Sequence, residues 1–228
     1  MVRSRAAGSS MPGPLGSGKM LRSIPLALMF ALLPPAACAE PEQEAQSRHT
    51  STLGFSVILP QDWVALDPSS SRTDRDQLEA DGRFSGLDRS LLNSALQKVR
   101  SGEFEFFFRR PFEGFAQNIA VRKRNLDLPA DAQALSLQCT ALPSSLRQSY
   151  GRDISPPKCD LRSVAGHTAT YIEIEGPLPQ TVNLQYQVQL SKGHVLAITA
   201  SVLAANLPAV RDEFESIVHS MRIGSDAP

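Results

Sequence analysis

"GPLGSGKM", Gly13 to Met20, has the glycine and lysine spacing of a phosphate-cradling loop. Such a loop needs Ser or Thr after its lysine to hold magnesium, and here that position is Met20. No strand pattern precedes it, so nucleotide binding is not expected. "QLEADGRFSGLD", Gln77 to Asp88, outlines a calcium loop, with Glu79, Asp81, Gly82 and Asp88 at its third, fifth, sixth and twelfth positions. Its two most demanding positions are wrong: Gln77 stands where Asp should open the loop, and Asp88 lacks the bidentate reach of Glu. The stretch reads as a solvated acidic loop. "GRFSG" has its glycines one place out of register for a nucleophile elbow around Ser85.

The four histidines are scattered: His49 in a polar tether, His167 and His194 at strand starts, His219 on a terminal helix. They read as surface or structural groups, not as general bases. A catalytic triad meets in space and not in sequence, so a periplasmic hydrolase with no recognisable motif stands as the rival reading. No catalytic residue, metal or cofactor is expected. Twenty-three Lys and Arg balance twenty-three Asp and Glu, which removes the broad basic field of a nucleic-acid binder.

Cysteine count and compartment belong together. Lys19 and Arg22 precede the apolar run "IPLALMFALL", which is too short to span a bilayer and is followed by Pro34, Pro35 and small residues. This is an export signal, and Met20 would open a compact one as readily as Met1 opens the longer form. Two cleavage rules compete at its end. Cys38 after Ala36 and Ala37 would be a lipid-modified cysteine, anchoring the chain to the outer membrane, with Pro35 a poor fit at the third position before it. Alternatively Ala37-Cys38-Ala39 is an ordinary small-x-small site. Ordinary cleavage after Ala39 is the reading adopted. Either way the mature chain lies in the periplasm or outside the cell, and Cys139 and Cys159 remain as an even pair in an oxidising space, which predicts a disulfide.

Two features suggest docking. Phe112 and Phe115 fall in the connection "RPFEGFAQ", outside the alternation of their neighbours. Exposed, they would form an apolar tip; folded back, they would cap the core, and capping is the preferred reading. In "NIAVRKRNL", period two places Arg122 and Arg124 opposite Ile119 and Val121, while Arg109 lies opposite Phe104, Phe106 and Phe108. Three guanidinium groups are therefore expected on one exposed face, suited to an acidic envelope protein or an anionic membrane surface. The plainer alternative is a solvated face balanced by Glu103 and Glu105.

The elements that must position these residues follow from periodicity. Residues 1–39 are extension and signal, 40–51 a flexible tether, 52–224 one domain and 225–228 a tail. "LGFSVILP" and "QDWVAL" read as strands. Leu92, Ala95, Leu96 and Val99 form one helical stripe. "EFEFFFRR" and "NIAVRKRNL" form a hairpin. A helix from near Pro129 carries Leu135, Cys139, Leu142 and Leu146 on one face, with Pro143 expected to break or kink it. "HTATYIEIEG", "TVNLQYQVQL" and "HVLAITASVL" are strands. The middle one alternates Val182, Leu184, Tyr186, Val188 and Leu190 against Asn183, Gln185, Gln187 and Gln189. That Asn/Gln face is either the floor of a polar groove or the solvent side of an edge hairpin. A closing helix carries Val210, Phe214, Ile217 and Val218. Hairpins with helices between them predict an α+β fold, an antiparallel β-sheet covered by helices.

"GFSVILPQDW" at the start and "LQYQVQLSKGHVLAITASVL" with "FESIVHSM" at the end resemble the PsbP-like family, a likeness of element pattern over roughly Thr52 to Ile223. The family is named for an extrinsic protein of photosystem II and includes bacterial envelope lipoproteins. The resemblance implies an α/β/α sandwich and an accessory or binding role, and it brings no catalytic residues with it. The expected protein is an exported, non-enzymatic accessory or binding protein of the bacterial cell envelope. A hydrolase, or a carrier of a small or lipidic ligand whose apolar pocket would lie under Phe112 and Phe115, are the alternatives.

Overall fold

Seven strands, all antiparallel, build the main sheet of the computed structural model, which describes residues 47–70, 78, 82–112 and 114–224. In chain order its strands are β3 (Trp63–Leu66), β4 (Phe104–Arg109), β5 (Asn118–Arg124), β6 (Lys158–Val164), β7 (His167–Glu175), β8 (Thr181–Ser191) and β9 (His194–Leu203). They lie side by side as β3-β4-β5-β9-β8-β7-β6. A second sheet joins β1 (Ser47–Thr50), β2 (Phe55–Leu59) and β10 (Arg222–Ile223) in the order β1-β2-β10. The described residues include three long α-helices, α1 (Arg89–Arg100), α2 (Ala132–Tyr150) and α3 (Leu207–His219), the last preceded by a 3-10 turn at Ala204–Asn206. The calcium-like loop up to Asp81 lies largely outside the described residues, as do the phosphate-loop match, the export signal and Cys38.

The two faces of the main sheet are covered differently. On one, α3 and the small sheet close over Phe107, Ile119, Val121, Leu184, Tyr186, Val188 and Ile198, with Phe55, Val57, Phe214 and Val218 completing the core. On the other, α1 seats Leu92, Ala95, Leu96 and Val99 on Val64, Leu66, Phe106 and Phe108. This is the helical stripe expected, started by Asp88, whose carboxylate accepts from Leu91 N at 2.9 Å. Gly102, with φ of 77°, ends the helix in a backbone region that disfavours a side chain. Helices on one face, helix plus small sheet on the other, make the expected α+β sandwich.

Helix α2 reaches the sheet by a covalent link. Cys139 is bonded to Cys159, 20 residues on, with their Cα atoms 6.5 Å apart. Only Leu135 and Cys139 of its 19 residues are buried. Pro143 does not end the helix, which continues to Tyr150. Its missing N–H costs one bond in a helix capped by Asp131 at one end and by left-handed Gly151, φ 66°, at the other.

Three expectations need correcting. The tether stops short of His49, because Ser47–Thr50 pairs with β2 as strand β1. Strand β8 is not an edge strand, since β7 and β9 flank it, so its Asn/Gln face lies within the sheet on the side of α1 and α2. Arg109 does not share a face with Arg122 and Arg124. Residues paired across antiparallel strands point the same way, and Arg122 is paired with Phe104 while Ala120 is paired with Phe106. Arg122 and Arg124 therefore belong to the face of Phe104, Phe106 and Phe108. Arg109 belongs to the other, with Glu105 and Phe107.

Candidate binding groove

The floor between α1 and α2 is the middle of the main sheet. One row across it runs Asn118, Ser201, Asn183, Ile174, the next Ala120, Thr199, Gln185, Ile172, and the next Arg122, Ala197, Gln187, Thr170. Polar side chains there are tied to one another. Ser201 Oγ donates to Asn183 Oδ1 at 3.0 Å, Gln185 Nε2 to Thr199 Oγ1 at 3.1 Å, and Gln187 Nε2 to Gln185 Oε1 at 3.1 Å. The groove alternative for the Asn/Gln face is thus the one the fold adopts.

Two cavities occupy the space above this floor. One, of about 430 Å³, lies under α2, walled by Gln138, Leu142, Leu146 and Tyr150 above and by Arg122, Arg124, Asn183, Gln185 and Gln187 below. The other, of about 540 Å³, is predominantly apolar and lies beside α1. Leu87, Leu91, Phe112, Phe115, Pro177 and Leu178 form its wall, over Phe106 and Ala120. Asn183 lines both, so the two cavities adjoin at that side chain as neighbouring compartments over the floor. Phe112 and Phe115 are half-buried, and the Phe112 ring meets Phe108 edge-on at 6.5 Å. The loop folds back, as preferred from sequence, with Phe112 packed against the α1 core, and both rings also line the cavity. Leu91 and Leu178, two of the three exposed large apolar side chains among the described residues, complete its rim.

Two cations lie over the Phe104 ring. The Arg122 guanidinium lies 5.4 Å from the centre of the Phe104 ring and Lys98 Nζ lies 5.8 Å from the same centre, within cation–π range. Arg122 is half-buried, Arg124 exposed, and among the described residues neither makes a hydrogen bond or ion pair. Burial and the adjacent Arg124 draw the Arg122 guanidinium below its ordinary value, with Glu103 opposing them.

The other sequence-marked groups are engaged elsewhere. Arg109 bonds Asp62 at 2.9 Å and Glu213 at 3.0 Å, and Glu213 also accepts from Trp63 Nε1 at 2.7 Å. That cluster fastens α3 to β3 and β4. Glu105, expected on a solvated face, is fully buried. It accepts from Thr52 N and Thr52 Oγ1 and meets His49 Nε2 at 3.1 Å, which pins β1 and its turn to β4. His167 and His219 bond backbone carbonyls, and His194 bonds Asn125. No histidine lines either compartment of the groove. Asp88 serves as the helix cap. Among the described residues, no three His, Cys, Asp or Glu side chains gather as a metal site.

A second polar cluster escaped the sequence reading. Glu173 bonds Arg211 at 2.5 Å, Lys158 at 2.8 Å and Tyr171 Oη at 3.0 Å. The Arg211 hydrogen bond outweighs burial and, with Lys158 and Tyr171, holds the Glu173 carboxyl at about 2. Burial, then Glu173, push the Tyr171 phenol up. Arg162, 3.8 Å from the Tyr171 ring centre, joins Tyr186 and Glu215 beside it. Each residue taken singly had looked like an ordinary strand or helix position, and only β6, β7, β8 and α3 together assemble them.

No protein-family model matches the chain, and no curated protein does. Among solved structures, the cyanobacterial PsbP protein CyanoP from Synechocystis sp. PCC 6803 is similar over 83% of this chain and 99% of its own, at 12% identity and a TM-score of 0.47. LpqN, a Mycobacterium tuberculosis protein involved in cell envelope biogenesis, is similar over 79% of this chain and 91% of its own, at 13% identity and a TM-score of 0.45. A Bacteroides thetaiotaomicron protein is similar over 76% of this chain and 46% of its own, at 8% identity and a TM-score of 0.36.

Proposed function

We propose that this chain is an exported, non-catalytic binding protein of the bacterial cell envelope, and that the groove between α1 and α2 is its ligand site. The observation that carries the reading is an apolar compartment adjoining a polar, cationic one over the centre of the sheet, where packed helices would ordinarily fill the space. An export signal and a bridged cysteine pair support the envelope as its place of work. Ordinary cleavage after Ala39 would leave it free there. The flat arginine surface inferred from sequence gives way to this recessed site, because Arg109 is committed to Asp62 and Glu213.

The test uses exported, delipidated protein and the neutral fluorescent probe N-phenylnaphthylamine. Saturable binding is expected, and Ala120→Trp, which fills the apolar compartment from its floor, should abolish it. The thermal midpoint of the variant, measured in parallel, confirms that it remains folded. Probe binding that fails to saturate, or that survives in folded Ala120→Trp, would refute the groove as the site.

A further inference from the structure

Resting on that reading, we infer the class of ligand: a single-chain amphiphile with one anionic head. Its carboxylate or phosphate is held by Arg122, Arg124 and Lys98, and its alkyl chain lies under Phe112, Phe115 and Leu178.

The charges of the groove argue for the head. Its walls carry Asp88, Lys98, Arg122 and Arg124. Asp88 already accepts from Leu91 N and Ser90 Oγ as the cap of α1. Glu103, exposed, is the carboxylate whose field reaches Arg122. Lys98 and Arg122, both over the Phe104 ring, and Arg124, two residues beyond Arg122, thus line the two compartments without a bonded counter-ion among the described residues. A half-buried guanidinium has lost part of its hydration, and an anion in its plane restores it through two parallel hydrogen bonds.

One neutral group of the floor points the same way. Thr199 Oγ1 accepts from Gln185, which leaves its own O–H to donate. Thr199 is paired with Ala120, two residues from Arg122 on β5, so its hydroxyl suits a head that only accepts, as a carboxylate or phosphate does.

Distance and polarity argue for the tail. Asn118 borders the apolar compartment and Arg122 the cationic one, four residues apart on β5 and so about 13 Å along the strand. A head at Arg122 thus projects a medium-length alkyl chain past Ala120 toward Phe112, Phe115 and Leu178. An inorganic anion would leave that compartment unused, and an uncharged chain would leave the cations unpaired.

Competition against the neutral probe, with dodecanoate, dodecyl phosphate, dodecanol and inorganic phosphate, separates these parts. Both anionic amphiphiles should bind about tenfold or more tighter than dodecanol, the scale of one charge-assisted hydrogen-bond pair. The tighter of the two names the source, a free fatty acid or a lipid phosphate. Replacing Arg122→Gln and Arg124→Gln together should remove the preference and spare dodecanol binding, while Arg122→Lys with Arg124→Lys should keep part of it. Anions no tighter than dodecanol, or a preference that survives the glutamine pair, would overturn the head assignment and leave the groove reading standing. Inorganic phosphate competing as well as dodecyl phosphate would overturn the tail. If none of the amphiphiles displaces the probe, the inference fails at both ends.

Discussion

Opening the Cys139–Cys159 bridge should release helix α2 before it unfolds the domain. The bridge closes a loop of 20 residues, for which chain entropy gives a stabilisation of about 3 kcal/mol. Little else holds the helix. Besides Cys139, only Leu135 is buried, contributing roughly 2 kcal/mol, and Leu142 and Leu146 face the cavity, where packing partners are few. A 19-residue helix with an internal proline has slight stability of its own in water. Without the bridge the local hold falls to the same size as the cost of ordering the segment. In the Cys139→Ala, Cys159→Ala double variant, α2 amides should exchange about a hundredfold faster, the equivalent of 3 kcal/mol. Amides of β5, β8 and β9 should exchange only as global stability dictates. Hydrogen exchange by mass spectrometry, beside urea unfolding, distinguishes the two. If α2 keeps its protection relative to the sheet while the urea midpoint falls, the helix is held by packing and the argument is wrong. Since α2 roofs the Arg122 and Arg124 compartment, the same variant should also lose selectivity for an anionic head.

Two further predictions concern the buried carboxylates on the opposite face. Glu173 sits at about 2 against an ordinary 4.5, so its contribution is complete above pH 4.5 and is lost as the pH falls toward 2. At 1.36 kcal/mol per pH unit this is about 3 kcal/mol, of which exposed Lys158 supplies little. Urea unfolding of Glu173→Gln should therefore trail the native protein by that amount at pH 7 and by almost nothing near pH 2, and an equal deficit at both would refute the assignment. Glu105→Ala leaves Thr52 N, Thr52 Oγ1 and His49 without their acceptor and should cost about 3 kcal/mol, with early exchange of β1 amides; unchanged protection there would show that β2 alone holds the strand.

Local periodicity carried the sequence reading wherever one face of an element meets the core. The α1 stripe and the inward Leu184, Tyr186 and Val188 of β8 are such cases. It carried less where both faces are covered. In "FEFFF", Phe104, Phe106 and Phe108 meet α1 while Phe107 meets the opposite core beside Glu105, so hydrophobicity alternates little and Glu105 looks like a surface residue. Which face of β4 aligns with which face of β5 depends on register, and the loop between them does not reveal its parity. The expected grouping of Arg109 with Arg122 failed on that point alone. Strand β1 was illegible for another reason: "SRHT" has no apolar face, and the strand exists through backbone pairing with β2 and through Glu105.

The groove itself follows from residues that were legible but whose joint effect was not. Ala120, Ala197, Thr199 and Ser201 are small, so the middle of the sheet offers helices no ridge to pack against. Gln187 bonds Gln185, Gln185 bonds Thr199 and Asn183 bonds Ser201, and a helix laid directly on Gln185 and Asn183 would have to bury their remaining amide groups with too few partners. The favourable seats for helices are therefore off-centre: α1 on the phenylalanines of β4, α2 at the disulfide on β6. A polar, small-residue strip thus holds two helices apart, and the space between them is left to water or to a ligand. Placing Arg122 on that strip, away from the carboxylates that neutralise Arg109 and Arg211, gives the space its charge.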